Sequence, residues 1–258
     1  MNERLPILNI WVDPVSREEA KARVCGFLEQ GTRPHAIFAA NPEKNFSVPA
    51  DAELYDCYRQ ADLLLPDGIG VVLAARLLHG ARLQRLPGSE FIFDICRLAE
   101  NGCHSIFVYG AREEVSRNSV ARLQQRYPGL RIAGRANGFV PQEEMPRLIE
   151  QINTSGASIL FLALGSPRQE KWFAAHKNAL TTVRVVQGIG GTLDTIAGTV
   201  QRAPEFWCRH NLEWFYRLAK EPKRIKRQKV LPVFALLVLK RWLGMRLSGP
   251  VSRSGGTG

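Results

Sequence analysis

The stretch ASILFLALGSPRQEKW, residues 157–172, decides the fold. Its apolar run ASILFLA, residues 157–163, is short enough for a strand buried on both faces of a sheet. Gly165, Ser166 and Pro167 then break the run. Ser166, Pro167 and Gln169 fit a helix start, with Ser166 at the N-cap, Pro167 in the first turn and Gln169 three residues after the cap. A strand running directly into a helix is the building unit of a parallel sheet. The N-terminus of such a helix offers backbone N–H groups to an anion such as a nucleotide diphosphate. Local capping explains the same spelling, so this stretch alone leaves function open.

The pattern repeats outward in both directions. Short apolar runs occur at ILNIWV (7–12), HAIFAA (35–40), DLLL (62–65), SIFVYG (105–110), LRIAG (130–134), ILFLALG (159–165) and VRVVQG (183–188). Helix-period segments lie between them, such as SREEAKARVCGFLEQ (16–30), where Ser16 and Glu19 form a capping box, and EEVSRNSVARLQQRY (113–127). Strand and helix alternating in this way predict an α/β protein with a mainly parallel, Rossmann-like sheet and helices on both faces. In such sheets ligands bind beyond the carboxyl ends of the strands.

The chain has 258 residues, 45% of them hydrophobic, enough for one large domain and an appendage. Five cysteines without a C-x-x-C pair, and no basic-plus-apolar leader before the first strand, point to a reducing cytoplasm. The net charge of +11 is segregated: residues 1–199 hold 22 Lys and Arg against 21 Asp and Glu, whereas residues 200–258 hold 13 against 3. We therefore expect an α/β domain over 1–199, a basic amphipathic helical appendage over 200–245, and a disordered Gly/Ser-rich tail over 246–258. The apolar run VLPVFALLVL (230–239) contains Pro232 and is flanked by Lys229, Lys240 and Arg241. A bilayer crossing needs about 20 apolar residues. The run is thus expected to lie on an anionic membrane surface, with Trp214, Phe215 and Trp242 as aromatic anchors.

The residues after each run are the candidates for chemistry. Asn41 follows HAIFAA, and Asp67 follows DLLL and precedes Gly68 and Gly70, glycines that would let a substrate approach the backbone; an Asx turn is the local alternative for Asp67. Arg85 lies in a loop where it could meet a phosphate, although a solvated surface arginine would be spelled the same way. Gly188, Gly190 and Gly191 could cradle a phosphate or ribose, or form a generic tight turn. The five histidines show no zinc-ligand spacing, and the chain lacks G-x-S-x-G, G-x-x-x-x-G-K-[ST], a full G-x-G-x-x-G fingerprint and an Asp-x-Asp metal motif. No metal or cofactor is expected.

Together NPEKN (41–45), PDGIGVV (66–72), RLPGSE (85–90), LGSPRQE (164–170), QGIGGTLD (187–194) and RAPEFW…NLEWFYRLAKEPKRIKRQ (202–228) resemble the WecG/TagA/CpsF glycosyltransferase family, in order over roughly residues 7–245. The resemblance implies a metal-independent, inverting enzyme. It would move a sugar from a UDP-sugar to a polyprenyl-diphosphate-linked sugar at the cytoplasmic face of the membrane, in teichoic acid, enterobacterial common antigen or exopolysaccharide synthesis. It makes Asp67 the general base, Asn41 and Gln169 donor-binding groups, and Arg85, Arg217, Arg224 and Arg227 the cations that neutralise diphosphate. Ala39 departs from the family, since some members carry Thr there. N-acetylmannosamine, its uronic acid and glucose all stay open as the transferred sugar, as does a homo-oligomer. A nucleotide-dependent oxidoreductase and a nucleic-acid-binding protein are the competing readings; the absent glycine fingerprint and the tail's apolar run weigh against them.

Overall fold

The computed structural model describes residues 3–201, 204, 206–207, 215–216 and 229–247. In chain order the elements are β1 (Leu5–Ile7), β2 (Ile10–Val12), α1 (Arg17–Gln30), β3 (His35–Ala40), α2 (Lys44–Ser47), α3 (Ala52–Gln60), β4 (Leu63–Pro66), α4 (Ile69–His79) and α5 (Gly88–Asn101). They continue with β5 (Ser105–Gly110), α6 (Glu113–Arg126), β6 (Arg131–Ala136), α7 (Met145–Thr154), β7 (Ile159–Ala163), α8 (Arg168–His176), β8 (Val185–Gly188), α9 (Thr192–Ala197) and α10 (Val230–Leu247).

Six strands form one parallel sheet in the order β4-β3-β8-β7-β5-β6. Side chains alternate across it, as the twofold period of a strand requires. Phe38, Leu64, Phe107, Tyr109, Leu160 and Leu162 face a core with α3, α4, α7, α8 and α10. Ile37, Leu63, Leu65, Ile106, Val108 and Phe161 face a second core with α1, α5, α6 and α9. Burial on both faces explains why these strands read as unbroken apolar runs. The chain leaves β3 towards α3 on one face and leaves β8 towards α9 on the other. Adjacent strands whose connections diverge in this way open a crevice at their carboxyl ends.

Local rules account for the element ends. Ser16 caps α1 through a complete capping box, its Oγ accepting from the Glu19 N–H while Glu19 Oε2 accepts from the Ser16 N–H at 2.7 Å. The run predicted as one strand over 7–12 is instead a hairpin: β1 and β2 pair antiparallel around Leu8, at φ 57, and Asn9. Asn9 N–H donates to the buried Asn45 Oδ1 at 3.0 Å, which holds that turn against α2. DLLL shifts by one residue because Asp62 stays out of β4. Its Oδ2 accepts the Ala36 N–H at 2.8 Å, and its carboxylate pairs with Arg33.

α10 begins with the ten-residue apolar run and continues past it to Leu247, and Pro232 is tolerated because it sits in the first turn, where a missing N–H costs no helical hydrogen bond. Phe234, Val238 and Trp242, spaced four residues apart, pack inward against the core that contains α4. Trp242, expected as a membrane anchor, is thus on the inward stripe, with Arg246 stacked over its ring at 4.5 Å. The outward face carries exposed Val233, Leu236, Leu237, Leu239 and Leu243, with Leu73 and Leu77 of α4 also exposed. Among the described residues no helix is long and apolar enough to cross a membrane.

Candidate active site

Asn41 follows β3 directly, and Asp67 follows β4. Parallel pairing of Ala40 with Pro66 places the two side by side. Asn41 Nδ2 approaches Asp67 Oδ2 at 3.5 Å, and Asp67 Oδ1 accepts the Gly88 N–H, at the start of α5, at 3.1 Å. The half-buried carboxylate is therefore held from two elements and does not cap α4, whose N-cap Gly68 makes no side-chain bond. The Asx-turn alternative is not the arrangement seen. A Cβ on Gly68 would lie 2.8 Å from Pro42 Cδ, and one on Gly70 would lie 2.8 Å from Pro42 Cγ. These glycines, expected to admit a substrate, admit Pro42 instead, and the close approach brings the Asn41 turn against the Asp67 loop.

Arg85 is half-buried, and its Nε donates to the Asp67 main-chain carbonyl at 3.0 Å. It thereby braces the loop that carries the carboxylate. Gln169 is buried at the start of α8, and its Oε1 accepts the Gly190 N–H at 3.0 Å. Gly190 has φ +54, in the region where glycine is unstrained, and a Cβ on Gly188 would lie 2.5 Å from Gln169 Nε2. The glycine turn and Gln169 therefore form one unit joining β8 to α8.

Ser166 does not cap α8. The helix begins at Arg168 with Pro167 in the cap position and no side-chain cap bond, and the Ser166 hydroxyl accepts from the ammonium of Lys44. A charged donor makes a stronger hydrogen bond than a backbone amide, which is why the hydroxyl turns to Lys44. Lys44 and Glu170 were not singled out from the sequence. Both are buried, and they pair at 3.4 Å across 126 positions. Tyr58, fully buried between the two carboxylate regions, donates its hydroxyl to the Ala39 carbonyl at 2.9 Å. Burial pushes this phenol well up, and the charges of Glu170 and Asp67 push it further, so it stays neutral.

A cavity of about 1000 Å³ runs along this rim, its described lining including Asn41, Asp67, Gln169, Gly188, Gly190 and Gly191. That volume suits a small-molecule substrate or cofactor. Arg85 touches the loop behind the cavity, and Arg217, Arg224, Arg227 and Trp214 lie outside the described residues. Among the described residues no group of three or more His, Cys, Asp or Glu side chains could hold a metal ion.

A family model described as glycosyl transferase WecG/TagA/CpsF family matches residues 5–248. The chain belongs to this family. The N-acetylglucosaminyldiphosphoundecaprenol N-acetyl-beta-D-mannosaminyltransferase of Bacillus subtilis (strain 168) is 36% identical to this glycosyltransferase over 204 residues, 79% of this chain and 78% of the relative. The protein of the same description from Staphylococcus aureus (strain MRSA252) is 33% identical over 215 residues, 83% of each chain. Membership sets aside the oxidoreductase and nucleic-acid-binding readings. In this WecG/TagA/CpsF glycosyltransferase the cavity at the strand ends, with its tethered carboxylate, is the candidate site of transfer.

Proposed function

We propose that the chain transfers N-acetylmannosamine from its UDP derivative to undecaprenyl-diphosphate-linked N-acetylglucosamine, with inversion and without a metal. The single observation that carries the reading is the position of Asp67, a carboxylate that lines the same cavity as the Gln169–Gly190 unit. Relatives described as N-acetylmannosaminyltransferases supply the sugars. In this reading Asp67 takes the proton of the acceptor hydroxyl as that oxygen bonds to the anomeric carbon. The bond from the anomeric carbon to the diphosphate breaks on the opposite side, and UDP leaves. Gly188, Gly190 and Gly191 present backbone to the diphosphate, Asn41 and Gln169 orient the donor, and Arg85, Arg217, Arg224 and Arg227 offset the leaving charge.

The acceptor's lipid requires a membrane surface. We assign its docking to the outward apolar face of α10 and α4, with Lys229, Lys240 and Arg241 at the ends of the apolar run as contacts for anionic headgroups. The enzyme would then sit peripherally on the cytoplasmic face of the membrane.

The test is release of UDP from a panel of UDP-sugars, with and without a prenyl-diphosphate-N-acetylglucosamine acceptor. Acceptor-dependent release from UDP-N-acetylmannosamine is expected. In Asp67→Asn it should fall by about 10²–10⁴-fold, the usual contribution of a general base. Full activity in Asp67→Asn would remove the base from the proposal. Release from another donor alone would correct the sugar.

A further inference from the structure

The buried Lys44 and Glu170 and the half-open Ser166 form a polar cluster on the cavity wall that the chemistry above does not use. The Lys44 ammonium donates to Ser166 Oγ and to Glu170 Oε1, and it lies 5.4 Å from the centre of the Tyr58 ring. Glu170 is 1% exposed, and its Oε2 has no hydrogen-bond partner among the described residues. A buried ion pair with an acceptor left over contributes little to folding, because desolvation offsets the attraction. Such a group calls for an explanation beyond stability.

Its location supplies one. Lys44 N–H bonds to Asn41, whose side chain reaches Asp67, while Glu170 is the chain neighbour of Gln169, which holds Gly190. The cluster is therefore linked to the carboxylate on one side and to the glycine turn on the other, and it lines the same cavity as both, the space that a sugar bound between base and diphosphate has to share. Charge decides what the cluster reads. The Lys44 ammonium is already matched by Glu170, so the pair has little net attraction for phosphate, whereas the ammonium's third hydrogen and the Ser166 hydroxyl can still bond to neutral oxygens. Lys44 keeps 9% of its side chain open and Ser166 is half-open, whereas Glu170 is closed off.

We propose that Lys44 and Ser166 form the subsite that recognises a hydroxyl or acetamido oxygen of the transferred sugar, and that Glu170 is the positioning residue that aims Lys44. This rests on the reading of the chain as a UDP-sugar transferase. It adds a specificity determinant whose partners are far apart in sequence.

The experiment measures binding of UDP, of UDP-N-acetylmannosamine and of analogues each lacking one sugar hydroxyl or the acetamido group, by calorimetry, in the full chain. Lys44→Met is expected to weaken the UDP-sugar about tenfold, the worth of one charge-assisted hydrogen bond, and to leave UDP within about twofold. One analogue should bind the unaltered protein about tenfold more weakly than the parent, yet bind Lys44→Met as well as the parent does. That comparison cancels any damage to the fold, since both ligands meet the same protein. Ser166→Ala, at a half-open position, repeats the comparison with less disturbance, and Glu170→Gln, which keeps the shape, should abolish the same preference. Equal weakening of UDP and UDP-sugar would make the cluster a phosphate site and overturn the proposal. So would unchanged donor binding with a raised KM for the acceptor. If the unaltered protein bound neither UDP nor any UDP-sugar, the transferase reading itself would fall, an outcome visible before any variant is made.

Discussion

Gly188 shows how little room the site leaves at the level of one residue. A Cβ there would lie 2.5 Å from the Gln169 amide nitrogen and 3.1 Å from the Phe38 ring. Gly188→Ala should displace the Gln169 side chain from the Gly190 N–H and weaken UDP binding at least tenfold, as read by calorimetry, while the dichroism spectrum is retained. Asp62 makes a different kind of contribution. Burial pushes its carboxyl up, but Arg33, the Ala36 N–H and His35 outweigh burial and hold it below the usual range. A depressed carboxyl stabilises above its unfolded value of about 4 and loses that contribution as pH falls through the folded value. Asp62→Asn should therefore cost about 1–3 kcal/mol at pH 7, and denaturant titrations should show the gap to the unaltered protein narrowing below about pH 4. Among single residues, capping was legible where the partner is local. The Ser16 capping box is closed by Glu19, whereas the Ser166 hydroxyl goes to Lys44 at a separation of 122 positions, which no local pattern encodes.

Elements were legible where burial is uniform. Strands β3, β4, β5, β7 and β8 of the main sheet coincide with largely apolar runs, because both of their faces are buried, whereas the edge strand β6, with Arg131 and Arg135, is only partly covered and overlaps LRIAG in part. The first run misled because apolar residues flank a turn of only two residues, the left-handed Leu8 and Asn9. α10 was recognisable as a basic-flanked apolar segment, but its inward stripe appears only when Phe234, Val238 and Trp242 are placed on α4. The outward face then makes a prediction of its own. The double variant Leu236→Glu and Leu243→Glu changes two exposed positions, so thermal stability should move by less than about 1 kcal/mol, while binding to vesicles containing anionic lipid should drop more than tenfold in a sedimentation assay. Equal vesicle binding would place the docking surface elsewhere.

For the molecule as a whole, the two cores divide the labour. The α1, α5, α6 and α9 core closes one face of the sheet from within residues 1–199, whereas the opposite core also takes in Phe234 and Val238 from α10. Deleting residues 200–258 should thus do more than abolish transfer. Uncovering α4 removes the burial of two large apolar side chains, about 3–6 kcal/mol, and should lower Tm by roughly 6–20 °C in a thermal melt. A truncated protein of unchanged Tm would show that α10 rests on α4 without stabilising it. The cavity is also a property of the whole. Its position followed from strand order, which no strand reveals alone, since β8, from the last of the seven apolar runs, lies between β3 and β7 at the sheet's centre.

Gly70 stands at the meeting of these scales. A Cβ on it would lie 2.8 Å from Pro42 and 3.6 Å from Phe234, so one backbone position is shared by the turn carrying Asn41 and by the helix assigned to the membrane. Grafting the C-terminal segment of one family member onto the body of another therefore requires positions 42, 70 and 234 to travel as a set. A chimera that exchanges the segment alone inherits a mismatched seam, felt first in the loop beside Asp67.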